Sequence, residues 1–181
     1  MRDSAKFWVW AVLLALASVV FSFALACAVP LAAFATLSAL YLRKGEGVAL
    51  LAIVWLVNQV VGYGCLDYPR DASTFVWGLA LLASAWVAFG AARGAIMVVD
   101  APAARLAVGF VAAFIGYEGT LFLAQFPLGG QSDAYAASVV VEIAMTNALA
   151  LIGLLAIHAV GARMGWAFNS SRAAPELPGA A

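Results

Sequence analysis

The chain has 181 residues, of which 66% are hydrophobic and 10% charged, and its mean hydropathy is +1.04. Soluble domains carry charge on about a quarter of their residues, so this composition excludes a soluble domain and predicts a polytopic membrane protein. Nine basic and nine acidic residues give a formal net charge of zero, which excludes a basic nucleic-acid-binding surface. The length leaves room for five or six spans of about 20 residues and for no second domain.

Six apolar segments, separated by charged or turn-forming residues, predict an all-α bundle of six transmembrane helices. In chain order they are 7–23, 27–42, 47–64, 73–92, 104–126 and 135–162. The first is interpreted as a retained helix, because its apolar run is longer than that of a secretory signal and has no clear cleavage site. The second is interrupted by Pro30, and whether it spans fully is left open by the sequence.

Basic residues are distributed unequally between the two predicted faces of the membrane. With six spans and a cytoplasmic N-terminus, only Arg70 lies outside. The inner segments hold the other eight, which are Arg2, Lys6, Arg43, Lys44, Arg93, Arg105, Arg163 and Arg172. This bias follows the positive-inside rule and predicts that both termini are cytoplasmic. Residues 1–166 then form a single transmembrane domain, and 167–181 form a polar tail that we expect to be mobile.

Two acidic residues, Glu118 and Glu142, interrupt the apolar runs of the last two helices, which we expect to form a hairpin. Counted from Phe126 and Tyr135, both lie roughly 10 to 12 Å below the outer boundary. A carboxylate at such depth costs a few kcal/mol, so it normally faces the bundle interior and has a partner there. The two acids therefore predict a shared polar pocket in the outer half of the bundle.

Further polar and aromatic side chains lie at a similar level. Asn58 and Gln59 are roughly 8 to 9 Å below the outer end of the third helix, and Gly62 is expected to leave space above their amides. The predicted substrate-binding residues are Glu118, Glu142, Asn58, Gln59, Tyr117, Tyr135, Trp77 and Thr146. The alternative is that the two acids are neutral, hydrogen-bonded core residues that hold the helices in register.

No pattern in the sequence indicates catalysis, a metal or a cofactor. His158 is the single histidine, and no Cys or acidic residue accompanies it at metal-ligand spacing. We therefore expect no bound metal or haem and no enzymatic activity, and we interpret His158 as structural or interfacial. Cys27 and Cys65 both map near the outer face, where an oxidising compartment would allow a disulfide, although both also suit packing roles.

Six helices in this length, cytoplasmic termini and polar groups gathered in the outer half resemble the S-components of energy-coupling-factor vitamin transporters. The first helix contains Ala11 and Ala15 in the AxxxA pattern of that family. The resemblance implies an outward-facing cup for a vitamin or related micronutrient, closed by the loop between the first two helices. It also implies a transmembrane coupling partner that docks on Ala11 and Ala15.

The predicted function is capture or transport of a small solute in a prokaryotic inner membrane. Asp67, Asp71 and Asp133 on the outer face, above the two glutamates, would attract a cationic or weakly basic solute. One alternative is a structural or assembly subunit of a larger membrane complex, which needs only surfaces for helix packing. Another is a proton-coupled carrier in which the two acids form a relay.

Overall fold

The computed structural model of the protein describes residues 3–24, 29–130 and 135–165, with the side chains of 7–20 in the first of these segments. Six helices make up this part of the chain, which confirms the predicted all-α bundle. They are α1 (Asp3–Ala24), α2 (Leu31–Tyr41), α3 (Lys44–Cys65), α4 (Ala72–Ile96), α5 (Pro102–Leu128) and α6 (Ala137–Arg163). Helices α3 to α6 are each long and apolar enough to cross a membrane. The predicted tail 167–181 and Cys27 lie outside the described residues.

Local sequence signals set several helix ends. Asp71 caps α4, since its carboxylate accepts a hydrogen bond of 2.8 Å from the Thr74 N–H. That bond holds the pKa of Asp71 below its usual value. Pro102 occupies the first turn of α5, where its missing N–H costs nothing. Gly129 ends α5 in the left-handed conformation, with φ of 72°, which a residue without Cβ adopts freely.

Helix α2 lies at the centre of the bundle. It packs against α3, α4, α5 and α6, and every residue from Leu31 to Ala39 is buried. It is shorter than the predicted segment 27–42, because Pro30 directly precedes its first turn. Its 11 residues rise about 16 Å, roughly half of a hydrocarbon core about 30 Å thick. The second apolar segment therefore forms a short core helix, and the longer helices surround it.

The most extensive helix pair is formed by α4 and α5. Gly116 permits this contact, because a Cβ added there would lie 3.2 Å from the Ala91 Cβ and 3.3 Å from the Ala88 Cα. By contrast, α6 packs mainly on α2, and α1 packs mainly on α3. The expected hairpin of the last two helices is therefore not a closely packed pair, because α5 and α6 each pack against α2.

Candidate functional site

Glu118 is the one acidic residue among four described residues that have a buried side-chain oxygen or nitrogen without a hydrogen-bond partner; the others are Trp10, Ser38 and Tyr63. The side chain is half-buried on α5, and its Oε1 atom is buried without a hydrogen-bond partner among the described residues. Glu118 lies ten residues before Leu128, the last residue of α5, which corresponds to a depth of about 15 Å. A buried oxygen without a donor is unfavourable, so a ligand or partner that donates to this oxygen would be stabilising.

Two tyrosines accompany Glu118. Tyr117 is the adjacent residue on α5 and is 7% exposed. Tyr135 lies just before α6, half-buried, with its ring edge-on to Phe122 at a centroid distance of 5.2 Å. Burial, and secondly the negative charge of Glu118, raise the pKa of Tyr135 above its usual value. The structure thus brings three of the predicted site residues, Tyr117, Glu118 and Tyr135, into one neighbourhood.

Glu142 does not share that neighbourhood. Its side chain is exposed on α6, five residues after Ala137, at a depth of about 8 Å. It lies eighteen residues, or about five full turns, before Val160, so the two side chains leave α6 in the same direction. Val160 lines a groove together with Leu13 of α1. Glu142 therefore faces the α1 side of α6.

The expectation of equal depth for the two acids stays a prediction. The Tyr135 ring lies against Phe122, which is one turn from Glu118 on α5, so the ends of α5 and α6 are not a common reference level. The expectation of one shared pocket also stays a prediction, although α5 and α6 are joined mainly through α2.

The two consecutive amides on α3 point in different directions. Asn58 is 3% exposed and belongs to the core. Gln59 is half-buried and approaches α4, where a Cβ added to Gly78 would lie 3.1 Å from its Oε1. The Trp55 indole N–H donates to the Gly78 carbonyl at 2.6 Å. Gln59 and Trp55 thus contribute to the α3–α4 contact, and Gly78 allows the close approach.

The space expected above Gly62 is filled. The ring of Tyr68 covers Gly62 so closely that any Cβ there would overlap it. The Tyr68 N–H also donates to the Gly62 carbonyl at 3.1 Å. Beside it, Tyr63 stacks on Phe75 with ring centroids 4.9 Å apart. Aromatic packing therefore covers the C-terminal end of α3 and fills the space expected beside Gly62.

The remaining two predicted site residues, Trp77 and Thr146, lie on different helices from Glu118. Trp77 is half-buried on α4 and approaches Gly130, where an added Cβ would lie 3.2 Å from its ring. Thr146 is half-buried on α6. Trp77 contributes to the α4–α5 end of the bundle, and Thr146 lies one turn below Glu142 on α6.

Asn147 is an important polar residue that the predicted site did not include. It is 3% exposed, and its Oδ1 accepts a hydrogen bond of 3.2 Å from the Ala33 N–H in the first turn of α2. Its Nδ2 donates to the Ile143 carbonyl at 3.0 Å. The signal available in the sequence is Pro30, because a helix that begins inside a bundle needs acceptors for its first N–H groups.

The small-residue pair on α1 is turned inward. Ala11 is 2% exposed and part of the core, and Ala15 is half-buried. The exposed face of α1 instead carries large apolar side chains at four-residue spacing, namely Trp8, Val12, Leu16 and Val20. Ala11 is therefore already covered by this chain, and a partner docking on α1 would meet the larger residues.

His158 is a buried residue that contacts aromatic rings of two other helices. His158 is 7% exposed, stacked on Tyr41 at a centroid distance of 3.7 Å and edge-on to Trp10 at 5.3 Å. Within the described ranges, no group of three His, Cys, Asp or Glu side chains could hold a metal ion. His158 thus ties α1, α2 and α6 together by ring contacts.

Cys65, the last residue of α3, carries a free, exposed thiol.

The chain matches no known family model, and neither the curated proteins nor the solved structures include a chain similar to it.

Proposed function

We propose that this protein is an integral membrane protein that binds a small cationic or weakly basic solute at Glu118, as the capture or transport subunit of a prokaryotic inner membrane. The observation that carries the proposal is the buried Oε1 of Glu118 without a donor. The excess of basic residues in the segments assigned to the inner face supports cytoplasmic termini and an outward-facing site.

The chemistry around Glu118 suits an amine. An ammonium group offers several N–H donors and a positive charge, which would satisfy the unpaired carboxyl oxygen and lower the cost of a carboxylate inside the membrane. Tyr117 and Tyr135 add aromatic rings, whose faces attract cations. The proposed site consists of these three residues, and it is smaller than the eight-residue site predicted from the sequence.

Binding is tested with a panel of small primary to quaternary amines and the purified full-length protein in detergent. The readout is the shift of the unfolding temperature with increasing amine concentration, since a ligand that binds the folded state raises it. We expect an amine-dependent shift for the unaltered chain and for Glu142→Gln. We expect no shift for Glu118→Gln. Equal shifts in both variants would exclude Glu118 as the binding group.

A second candidate function, a subunit of a larger membrane complex, is favoured by one observation. Glu142 is exposed and is the one acidic residue of α6, and a charged group at such a position is stabilised by a complementary group from a partner. A photo-crosslinker at Met145, exposed on the next turn, would capture a membrane partner in cells. Crosslinks that vanish in Glu142→Leu would support this candidate, and an absence of protein crosslinks would contradict it.

Two further hypotheses from the sequence are a proton-coupled carrier and a vitamin-capturing S-component. A proton relay between Glu118 and Glu142 stays an alternative, and it is supported less than binding at Glu118 because Glu142 is exposed. The resemblance to vitamin-capturing S-components stays a prediction. If a coupling partner exists, we propose that it docks on the exposed Trp8 and Val12 face of α1 rather than on Ala11.

A further inference from the structure

An apolar groove lies between α1 and α6 at the end of the bundle opposite to Glu118. Its volume is about 350 Å³, and it is lined by Leu13, Ala156, Ile157, Val160, Gly161 and Met164. Gly161 is buried and forms its floor, whereas Ala156, Val160 and Met164 are exposed. The groove therefore opens toward the outside of the bundle, where membrane lipid surrounds the protein.

A cation borders the groove. Arg163 is exposed in the last turn of α6, next to the groove residue Met164. The distribution of basic residues assigns this end of α6 to the cytoplasmic interface. On α1, Trp8 is 60% exposed near the same interface, where tryptophan side chains prefer to lie. An apolar cleft thus meets a positive charge at the level of the lipid headgroups.

We propose that this groove binds one acyl chain of an anionic phospholipid from the cytoplasmic leaflet, with the headgroup phosphate bound by Arg163. A guanidinium group matches a phosphate with paired N–H donors. Basic sites between transmembrane helices on the cytoplasmic side are typical places for anionic lipids. The apolar lining matches a hydrocarbon chain and supplies no side-chain polar group to orient a water-soluble ligand.

The dimensions favour a single chain over a protein helix. A volume of about 350 Å³ lies at the small end of ligand sites, which span roughly 300 to 1,000 Å³. A helix with its side chains is about 10 to 12 Å wide, so a single turn of 5.4 Å fills about 420 Å³, which is more than the groove holds. The lipid would also have a structural effect, because α1 packs mainly on α3 and α6 mainly on α2. A bound chain would bridge α1 and α6.

The test compares phosphatidylglycerol with phosphatidylcholine of identical acyl chains, added to delipidated full-length protein in detergent. Native mass spectrometry counts bound lipids, and the unfolding temperature reports stability. We expect phosphatidylglycerol to be retained about fivefold more strongly, as one basic residue at an anionic surface implies, and to raise the unfolding temperature more than phosphatidylcholine does.

Three variants assign the site. Arg163→Gln should abolish the preference for phosphatidylglycerol. Lys44→Gln should preserve it, because it removes an exposed cation from the first residue of α3, on another helix. Ala156→Phe, at the exposed rim of the groove, should reduce the retention of both lipids without preventing folding. Gly161→Leu would fill the floor and should act in the same way.

Several outcomes would overturn the proposal. These are equal retention of the two lipids by the unaltered chain, an equal loss in Lys44→Gln and Arg163→Gln, or unchanged retention in Ala156→Phe. Displacement of the lipid by inorganic phosphate alone would show that the site recognises free phosphate. A dimer in the mass spectrum that the Ala156→Phe variant breaks would show that a second copy covers the groove.

Discussion

The side-chain oxygen of Asn147 on α6 accepts a hydrogen bond from the Ala33 N–H on α2, at 3.2 Å. Together with the Pro30 carbonyl, which accepts from the same N–H at 3.0 Å, this bond satisfies the start of a helix of 11 residues inside the bundle. The first N–H groups of any helix lack partners within it, and no water is present in a hydrocarbon core to satisfy them. Asn147 lies ten residues into α6, about 15 Å from the start of that helix, so α2 begins near the middle of α6.

Replacement of Asn147 by Leu should therefore destabilise the bundle. The Ala33 N–H would keep the Pro30 carbonyl as acceptor, at 3.0 Å, and lose the Asn147 oxygen, so we expect a loss of about 0.5 to 1.5 kcal/mol in the free energy of unfolding. Chemical unfolding of the purified protein in detergent measures the change. Met145→Leu, at an exposed position on the same helix, is the control and should be nearly neutral. Equal stability of the two variants would contradict a capping role for Asn147.

The length of α2 shows what the sequence could and could not establish. Apolar composition and Pro30 indicated a buried helix with a disturbed start, and the structure has a helix that begins at Leu31. Nothing in the local sequence indicated that Asn147 would supply the acceptor, because that contact joins residues 114 positions apart. The composition predicted long apolar helices. It did not predict which side of each helix would pack against which neighbour.

Packing of Tyr68 on Gly62 gives a second prediction. A Cβ at position 62 would overlap the Tyr68 ring, so Gly62→Ala must displace the ring and the loop that holds it. We expect a loss of about 1 to 3 kcal/mol in the free energy of unfolding, as for other overpacked sites. Gly64→Ala is a matched control, because nothing lies within 4 Å of a Cβ there. If Gly64→Ala were the more harmful change, the packing described for Tyr68 would be refuted.

The contact between α4 and α5 gives a third prediction. Gly116→Val would press a branched side chain against the Ala88 backbone, which cannot move without shifting α4. The expected loss is again about 1 to 3 kcal/mol, measured by unfolding in detergent. Gly119→Val, on the same helix but with open space at its Cβ, should cost less. A larger loss for Gly119→Val would mean that α5 packs on α4 through a different face.

The candidate site was only partly predictable, because contacts between helices are not determined by the local sequence. Glu118 and Glu142 stand out in the sequence because they are charged residues within apolar segments. Their distance from the end of a helix follows from counting residues. The direction of each side chain depends on which neighbour its helix packs against. Because α5 packs on α4 and α2, and α6 packs on α2, Glu118 lies half-buried beside the aromatic residues Tyr117 and Tyr135, whereas Glu142 is exposed.

The proximity of Glu118 and Tyr135 gives the last prediction. Burial and the Glu118 charge raise the pKa of Tyr135, and free tyrosine titrates near pH 10. The folded state thus favours the neutral phenol, so this contribution to stability is present below about pH 10 and is lost as the pH rises through the raised pKa. Absorbance of the phenolate, with Tyr135→Phe subtracted to remove the other four of the five tyrosines, follows the titration.

In Glu118→Gln, the pKa of Tyr135 should fall, because the negative charge is gone, yet stay above 10, because burial is the larger cause. Glu142→Gln is the matched control and should leave the Tyr135 titration where it was, since Glu142 lies on the α1 side of α6. A shift caused by Glu142→Gln and none by Glu118→Gln would mean that the acid beside Tyr135 is Glu142. The proposed binding site would then move to α6.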